Sequence, residues 1–567
     1  MALQADTKIA KGGDAYRYDE KSDFKGGLNL RADQFNIAHN ESPALLNVEV
    51  DPRGGVRRRD AVAKVNATAL DNEIISLMTH YEAGTNQVLA AALDPATAQS
   101  QIFYNTGATG NFTGPVQVGA DNPFFDTAQP PRHVTFNDYT YIVNGVMLHS
   151  DAGVTGTAAM RWDGATATGL TPDLDGSAGH FPCARYTTAW AEFVWVAYTL
   201  ESGTTHKNRV RFSAVNDAEN WTAADYIDID IGEDGDHITA IIPDADRLLV
   251  FKQNSIYAIY GFSRDSFEVR NITRTAGCRE GTQPVAATAG VFFWYAEEGI
   301  YIVTYEDVAW VFERIKPAMT YDVGQPALSL GTPPSMMWFD ERLWVSVDYQ
   351  SDDNISGSSQ NNRRNVFVWD PSLGPIGSWT RHDINARSLL GYRPSGDTHL
   401  GIGATSNITT VASFDRISKL DQNFDYDDYV GAVSEINSFY HTSWFVGNRP
   451  TFPKRWGKTR TVVLSDNNTT IFMYVYKDYD PSGWVAGYSK TLTGLGTPAL
   501  WDAATSEWDD SEWQPEGTSD RYAFTRWPTI GTAQAISLRF TVSPVPSTRG
   551  KWGVTSIIGM YRTRRLR

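Results

Sequence analysis

Short runs of alternating apolar and polar residues recur along most of this chain and restrict it to a β-rich fold. The runs are separated by Gly, Asp, Asn and Pro, as in strands that bury one face, because successive side chains of a strand point to opposite sides. The strongest runs are rich in Val, Trp, Tyr and Phe: Phe193–Tyr198, Arg247–Phe251, Val291–Tyr295 and Arg342–Val347. Helical periodicity is scarce, so we expect an all-β protein.

The runs are grouped into a larger repeat. Four predicted strands follow one another from Ile238 to Ile272, and similar groups begin at Pro284 and Met336. Looser copies begin near Ile74, Arg132, Ala184 and Arg387. The seven candidate units start about 50 residues apart, a period typical of four-stranded blades that bury their faces against their neighbours. We therefore predict a β-propeller of about 6–8 four-stranded blades.

Two segments lie outside the repeat and complete the predicted domain organisation. Residues 1–70 form an N-terminal segment that is partly extended, and residues 71–432 form the propeller. Residues 433–567 contain further alternating runs, such as Thr470–Tyr476 and Ala535–Val542, and predict a β-sandwich-like domain. We expect the N-terminal segment to pack on this C-terminal domain, so that both build an additional β-rich platform.

Composition excludes several function classes. With 49 Lys+Arg against 66 Asp+Glu, the net charge of −17 disfavours a general affinity for nucleic acid. Cys183 and Cys278 are too few for a disulfide framework and fit assembly in a reducing cytoplasm. The first residues show no signal-peptide pattern, and we expect no membrane span, because no apolar run approaches about 18–20 residues.

Charged residues are not evenly distributed along the chain but form basic and acidic clusters. Arg57–Arg59 and Arg562–Arg567 are read either as solvated surface charge, which we favour, or as contacts for an acidic partner subunit. The run from Asp225 to Asp236 holds the densest carboxylates and is interpreted either as a Ca²⁺ loop or as a strand with exposed acids. Its alternation with Ile227, Ile229 and Ile231 favours the strand.

No pattern assigns a catalytic residue. Glycoside hydrolysis needs two carboxyl groups, and the adjacent pairs resemble ordinary turn acids: Glu297–Glu298, Asp352–Asp353, Asp427–Asp428 and Asp509–Asp510. Ser213–Asp217 with Asn220 and Trp221 weakly resembles an Asp-box turn, which is structural. HExxH, GxSxG, P-loop and dinucleotide-binding motifs are missing. We therefore expect no enzyme, no cofactor and no catalytic, cofactor-binding or metal-binding residues.

Four Trp residues are a further candidate for ligand binding: Trp501, Trp508, Trp513 and Trp527. Indole rings of this kind stack on sugars, but they more often fill sheet interfaces or subunit contacts. We favour the second interpretation, in which these rings belong to the core or to an interface.

Several segments resemble a known family. Phe24–Asn29, Glu41–Val48 and Gly54–Asp60 resemble the opening of phage tail proteins that include the nozzle, or tail tubular protein B, of short-tailed (podovirus-type) bacteriophages. Further segments resemble the propeller and the ending of the same group, in the expected order: Val210–Ser213, Asn220–Trp221, Asp234–Ile238, Leu248–Phe251, Ser255–Tyr257, Phe452–Trp456, Tyr476–Asp478, Arg526–Pro528, Gly531–Gln534 and Trp552. The similarity is spread over most of the chain.

The resemblance implies a structural virion protein that forms the distal tail tube or nozzle. It implies a hexameric ring of copies, attachment beneath the portal-adaptor (head-to-tail) protein, neighbouring tail fibres or spikes, and a conduit through which viral DNA passes transiently. The expected location is the virion tail, after assembly in the host bacterial cytoplasm. The alternative is a carbohydrate-binding or glycan-degrading propeller of the virion, a lectin or depolymerase, with carboxylates and aromatic rings converging at the propeller mouth.

Overall fold

The computed structural model describes the chain in blocks that cover nearly all of its predicted strands. The described residues are 16–32, 36–66, 70, 74–82, 85–93, 100–105, 111–118, 130–145, 158–232, 235–296, 298–305, 307–311, 313–316, 333–348, 364–374, 376–393, 398–404, 417–421, 426–429, 432–447, 450–465, 469–491, 521–542 and 552–563. Within them the only helical element longer than one residue is a 3₁₀ turn, Arg264–Ser266. No helix among the described residues is long and apolar enough to cross a membrane.

Seven sheets succeed one another along the chain, and the strands of each repeat unit pair antiparallel in sequence order. Blade 1 contains β8 (Ile74–Glu82), β9 (Thr85–Leu93) and β10 (Ser100–Asn105); blade 2 contains β11 (Arg132–Phe136), β12 (Tyr139–Val143), β13 (Ala159–Trp162) and β14 (Ala167–Leu170). Blade 3 contains β15 (Cys183–Trp190), β16 (Phe193–Glu201), β17 (Thr204–Phe212) and β18 (Tyr226–Asp228); blade 4 contains β19 (Ile238–Asp244), β20 (Arg247–Lys252), β21 (Ile256–Tyr260) and β22 (Glu268–Thr273).

The remaining blades continue this order. Blade 5 contains β23 (Val285–Ala287), β24 (Gly290–Tyr295), β25 (Gly299–Val303) and β26 (Val308–Trp310); blade 6 contains β27 (Ser335–Phe339), β28 (Arg342–Asp348), β29 (Arg364–Asp370) and β30 (Ser378–His382). Blade 7 contains β31 (Ala386–Tyr392), β32 (His399–Ala404) and β33 (Ile417–Asp421), with β7 (Ala61–Lys64) as its fourth strand. A separate hairpin joins β34 (Tyr426–Tyr429) and β35 (Ala432–Glu435).

The first strands of the blades form a closed ring, which confirms the predicted all-β propeller. Contacts run from β8 through β11, β15, β19, β23, β27 and β31 and return to β8. Side chains satisfy backbone donors along this ring: Ser335 Oγ accepts a hydrogen bond from Leu389 N, and Ser388 Oγ accepts one from Leu77 N, both over 3.0 Å. The seven blades lie within the predicted range of 6–8.

Blade 7 is completed by a strand from the beginning of the chain. β7 pairs antiparallel with β33, with Lys64 opposite Ser418 and Ala61 opposite Asp421. Val62 is fully buried in the core between blades 6 and 7. Because the two ends of the propeller meet in one sheet, this pairing closes the ring by hydrogen bonds as well as by packing.

Two further sheets form a sandwich built from the first and last parts of the chain. One sheet has the order β40-β37-β42-β6-β5, with β1 also paired to β42; the other has the order β39-β38-β41-β36-β4. Their strands are β1 (Arg17–Lys21), β4 (Ala44–Leu46), β5 (Val48–Val50), β6 (Val56–Arg58), β36 (Phe439–His441), β37 (Lys454–Ser465), β38 (Thr470–Lys477), β39 (Ala486–Thr491), β40 (Arg521–Ala533), β41 (Ile536–Val542) and β42 (Trp552–Thr563). This is the platform predicted from the N- and C-terminal segments.

The sandwich and the propeller share one hydrophobic core. Trp456 and Phe540 from the sandwich belong to the same buried cluster as Phe292 and Leu343 from blades 5 and 6. Two short strands, β2 (Gly27–Leu28) and β3 (Glu41–Ser42), extend the sheet of blade 6 beside β30. Gly27 has φ +62°, and a Cβ there would meet Trp379 O at 2.6 Å, so only glycine allows this approach.

Candidate functional site

The axial channel of the propeller has a mouth where the seven inner strands begin, and one segment of the chain crosses it. This segment, residues 279–283, connects blade 4 to blade 5 and is called the plug segment. Backbone hydrogen bonds fix its start: Cys278 N donates to Lys252 O over 2.9 Å, and Arg279 N donates to Trp294 O over 2.7 Å. The plug segment therefore leaves the ring between the inner ends of two adjacent blades.

A side chain from the far side of the ring holds the plug segment. Arg132, the first residue of β11 in blade 2, donates from Nη1 to Gln283 Oε1 over 2.8 Å and from Nη2 to Gly281 O over 2.7 Å. Gly281 has φ +84°, and a Cβ there would lie 3.1 Å from Pro333, which precedes blade 6. Because blades 2 and 5 are not neighbours in a seven-bladed ring, we infer that Arg132 and the plug segment meet across the mouth.

Blades 3 and 4 contribute a second set of contacts through Glu280. Arg185 Nη1 lies 2.5 Å from Glu280 Oε1, and His237 Nε2 lies 3.5 Å from Glu280 Oε2. The hydrogen bond to His237 and the charge of Arg185 hold the pKa of Glu280 below its usual range. The Arg185 guanidinium also stacks on the Tyr198 ring at 4.1 Å. The plug segment is thus bonded to blades 2, 3 and 4.

The chemistry available at this mouth is limited. Within the described part of the chain, Glu280 is the only carboxylate that contacts Arg185 or His237, and it is ion-paired. A glycosidase needs a second carboxyl group positioned as acid, base or nucleophile. Burial raises the pKa of the Cys278 thiol to about 11, so this thiol is protonated at neutral pH and a poor nucleophile. The cluster is arranged to hold the plug segment.

The acidic run from Asp225 to Asp236 does not converge on one point. Asp228 receives two hydrogen bonds from Arg209, each of 2.8 Å, and Asp230 accepts one from the Tyr257 hydroxyl over 2.6 Å. Asp236 accepts hydrogen bonds from Ser255 Oγ and from a backbone amide. Each of these acids has its own partner on a different strand or loop, which is unlike a Ca²⁺ loop. Glu233 and Asp234 lie outside the described residues.

Of the other carboxylate candidates, the structure describes the Glu298 side chain and the strand positions of Asp427 and Asp428. Glu298 accepts a hydrogen bond from the Tyr301 hydroxyl over 2.5 Å on blade 5. Asp427 and Asp428 lie in β34, opposite Ser434 and Val433. Glu297, Asp352, Asp353, Asp509 and Asp510 lie outside the described residues.

The weak Asp-box similarity corresponds to a turn with local hydrogen bonds. Ser213 Oγ accepts a hydrogen bond from Val194 N, and Asp217 accepts one from Glu219 N. The Trp221 indole donates to Ala218 O over 2.8 Å from a buried position. These bonds tie the turn to blade 3 and give it a structural role.

Of the four candidate Trp residues, only Trp527 is described. It is 2% exposed, and its indole donates to Thr461 Oγ1 over 2.9 Å inside the sandwich. It therefore belongs to the core. Trp501, Trp508 and Trp513 lie outside the described residues.

The described arginines of the two basic clusters are not simply solvated surface residues, as the sequence analysis favoured. Arg58 and Arg59 are buried, and Arg59 donates to Asn47 Oδ1 over 2.9 Å. Arg57 is exposed and pairs with Glu49. Arg562 lies in β42 and stacks on the Tyr16 ring at 3.6 Å, whereas residues 564–567 lie outside the described part. The described arginines of both clusters therefore have contacts within the chain.

One cluster of potential metal ligands, in the connection between blades 2 and 3, was not predicted from the sequence. Asp173, Asp175 and His180 place potential ligand atoms within 4.8 Å of one another. The signal is the short Asp-x-Asp spacing followed by a nearby histidine, which is common in exposed turns. Both aspartates are exposed, and His180 Nδ1 lies 3.4 Å from Asp175 Oδ1, so the group is a surface contact and not an enclosed metal site.

A polar interface joins the sandwich to blade 6. Arg342 Nε lies 3.2 Å from Asp370 Oδ2, and its Nη1 lies 3.8 Å from Glu49 Oε2 on β5. A cavity of about 10 Å³ beside them is also lined by Ser378 and His382. This space suits a single water molecule and not a substrate.

Comparisons with known proteins give structural similarity alone. No family model and no curated protein matches the chain. Among solved structures it is similar to the extracellular domain of a putative one-component system from B. thetaiotaomicron (12% identity, TM-score 0.35), covering 78% of this chain and 58% of that one.

Two further solved structures are similar. One is a glycoside hydrolase family 43 arabinoxylan arabinofuranohydrolase from Bacillus subtilis (9% identity, TM-score 0.24), covering 87% of this chain and 97% of that one. The other is YCF48 from Cyanidioschyzon merolae (10% identity, TM-score 0.35), covering 64% of this chain and all of that one. The β-propeller assignment follows from the closed ring of seven inner strands in this chain.

Proposed function

We propose that this chain is a non-catalytic structural subunit of a short-tailed bacteriophage tail, as the family resemblance implies. The observation that carries the proposal is the plug segment across the propeller mouth. Arg132 and Glu280 tie this segment to blades 2, 3 and 4, in the place where a propeller would otherwise hold a ligand. A propeller used as a building block needs no open channel.

The segments that resemble the tail family support the proposal by their positions. Phe24–Asn29 includes β2, which extends blade 6, and Gly54–Asp60 includes β6 of the sandwich. Phe452–Trp456 opens β37, which pairs with both β40 and β42. The resembling segments therefore include elements that join the two bodies, as expected for a shared scaffold.

The proposed assembly is a hexameric ring beneath a portal-adaptor protein, with tail fibres or spikes as neighbours, in a virion tail assembled in the host cytoplasm. Because the plug segment crosses each propeller, viral DNA would pass between copies around the ring axis. With a net charge of −17 on each copy, repulsion of phosphates would let DNA pass without lasting contacts.

Electron microscopy of the purified protein, alone and mixed with a portal-adaptor protein, tests this proposal. We expect rings of six copies with an axial opening between subunits. A protein that stays monomeric under both conditions and hydrolyses polysaccharide would refute it. The same images show whether the opening lies between copies or through a propeller.

A second candidate function is carbohydrate binding by the virion. The observation that favours it is a row of aromatic rings on the sandwich, where Trp484 is 57% exposed next to Tyr474 at a ring distance of 5.2 Å. Aromatic faces of this kind stack on sugar rings. Since the one carboxylate of the plug segment, Glu280, is ion-paired with Arg185, we propose binding without cleavage, which an assay for released reducing ends tests.

A further inference from the structure

The outer face of one sandwich sheet carries aromatic side chains next to a cation. On β38, Phe472 and Tyr474 are half-buried and alternate with the buried Ile471, Met473 and Val475 of the sandwich core. Ile471, Met473 and Val475 thus face the second sheet, and the even-numbered residues lie on the other face. On that face Tyr476 is buried with Trp444 and Ala535, and Tyr474 packs against them. This arrangement leaves two rings on the outside of the sandwich.

The rings continue across the hairpin between β38 and β39. The Phe472 and Tyr474 rings are nearly parallel, with an interplanar angle of 12° and centroids 6.4 Å apart. The Trp484 ring follows at 5.2 Å from Tyr474. Gly487 lies opposite Tyr474 on β39, and a Cβ there would be 3.2 Å from the Tyr474 ring and 3.5 Å from Trp484. A glycine at this position leaves room for the two rings to meet.

A guanidinium group lies beside these rings. Arg539 on β41 is directly opposite Tyr474, so both side chains are on the same outer face. Its guanidinium carbon lies 3.9 Å from the Phe439 ring centroid, and its Nε is buried with no hydrogen-bond partner among the described residues. No ion pair of Arg539 with a described carboxylate is formed at this face. A half-buried cation of this kind favours an anionic ligand.

We propose that Phe472, Tyr474, Trp484 and Arg539, called the aromatic face, bind an acidic polysaccharide. Consecutive sugar rings would stack on the aromatic side chains, and Arg539 would bind a carboxylate of the glycan in a charge-assisted hydrogen bond. This inference rests on the second candidate function and names its site and substrate class. It assigns carbohydrate binding to the sandwich and not to the propeller mouth.

Area and charge favour a glycan over a second copy of the chain. Stable protein interfaces bury about 800 Å² on each partner. Three rings, each offering about 150–250 Å² when fully free, fall short of this because Phe472 and Tyr474 are already partly covered. Among the described residues of this face, Arg539 matches one carboxylate of a repeating sugar unit, and this short-range attraction must exceed the long-range repulsion between a polyanion and a chain of net charge −17.

Isothermal titration calorimetry of the full chain with polygalacturonate, and with neutral dextran as a comparison ligand, tests the proposal. We expect polygalacturonate to bind and dextran to bind more weakly. Trp484→Ala and Arg539→Gln should each weaken polygalacturonate binding about tenfold or more. Phe262→Ala is the matched control, since Phe262 is 68% exposed on blade 4, far along the chain from the aromatic face.

The possible results distinguish an error about the aromatic face from an error about carbohydrate binding itself. If polygalacturonate binds equally to the wild type and to Trp484→Ala and Arg539→Gln, the aromatic face is refuted while carbohydrate binding stands. If the wild type binds neither polymer, both are refuted. Mass photometry and thermal midpoints of each variant complete the test, because a change of oligomer size in Trp484→Ala would show a contact between copies and overturn the proposal.

Discussion

Acidification is expected to open the contact between blades 1 and 2 through a single histidine. His133 Nε2 accepts a hydrogen bond from Thr79 N over 3.3 Å, which joins the inner strands of the two blades. Only a neutral imidazole can accept this bond. Burial and the adjacent charge of Arg132 lower the pKa of His133 from 6.5 to about 4. Between about pH 4 and pH 6.5, His133 is therefore neutral in the folded propeller and protonated in the unfolded chain.

The size and sign of the effect follow from proton linkage. Below the unfolded pKa of 6.5 the unfolded state binds one more proton at His133, so stability falls as the pH decreases, until the folded state also binds it near about pH 4. Above 6.5 the histidine contributes no pH dependence. The difference between a pKa of 6.5 and one of about 4 corresponds to about 3 kcal/mol of stability. This is an upper value, because the imidazole of His133 is partly exposed to solvent.

Urea unfolding followed by tryptophan fluorescence, measured from about pH 7 to about pH 4, tests this reasoning. His133→Gln is the informative variant, because its amide oxygen accepts the same hydrogen bond and does not titrate. As the pH is lowered, we expect the free energy of unfolding to fall less steeply in the variant than in the wild type. The two slopes should differ by up to about 1.4 kcal/mol per pH unit. The buried His382 and His441 are present in both proteins and cancel. Parallel pH dependences would refute the role of His133.

Three further outcomes test the ring, its plug and its thiols. Arg132→Ala should lower stability by about 2–3 kcal/mol and speed amide exchange in the plug segment, and unchanged exchange would contradict the plug. Val62→Asp should cost about 3 kcal/mol or more in thermal unfolding, whereas Ile376→Asp, at a side chain 57% exposed, should change stability by about 0.5 kcal/mol or less. Cys183 and Cys278, whose burial raises each thiol pKa to about 11, should resist a disulfide reagent at neutral pH until unfolding, so rapid labelling of the folded chain would contradict their burial.

The sequence predicted the propeller because its information is local. The repeat starts at Ile74, Arg132 and Ile238 coincide with the first residues of β8, β11 and β19. The inner strands β8 and β19 read as short apolar runs, since a neighbouring blade covers each face, and the turn residues between strands are polar. Hairpin pairing then follows from adjacency along the chain, which explains why the number of blades was predictable within a narrow range.

Pairings between distant parts of the chain were not visible in the sequence. β7 is four residues long, and nothing in Ala61–Lys64 indicates that it pairs with Ile417–Asp421. Similarly, Arg132 and Glu280 are ordinary charged residues in sequence, and only the closed ring brings them to one mouth. A residue pattern encodes which face is buried, but it does not encode which distant strand covers that face.

The path of the N-terminal segment couples the sandwich mechanically to the propeller. From residue 27 to residue 64 the chain extends blade 6 with β2 and β3, passes through both sandwich sheets as β4, β5 and β6, and closes blade 7 as β7. A force that pulls the sandwich away from the propeller must therefore either separate the shared core or strip β7 from β33. Since loss of β7 would open the ring, the two bodies resist load together. Pairing of β7, a strand taken from outside the repeat, with β33 therefore links the stability of the propeller ring to that of the sandwich.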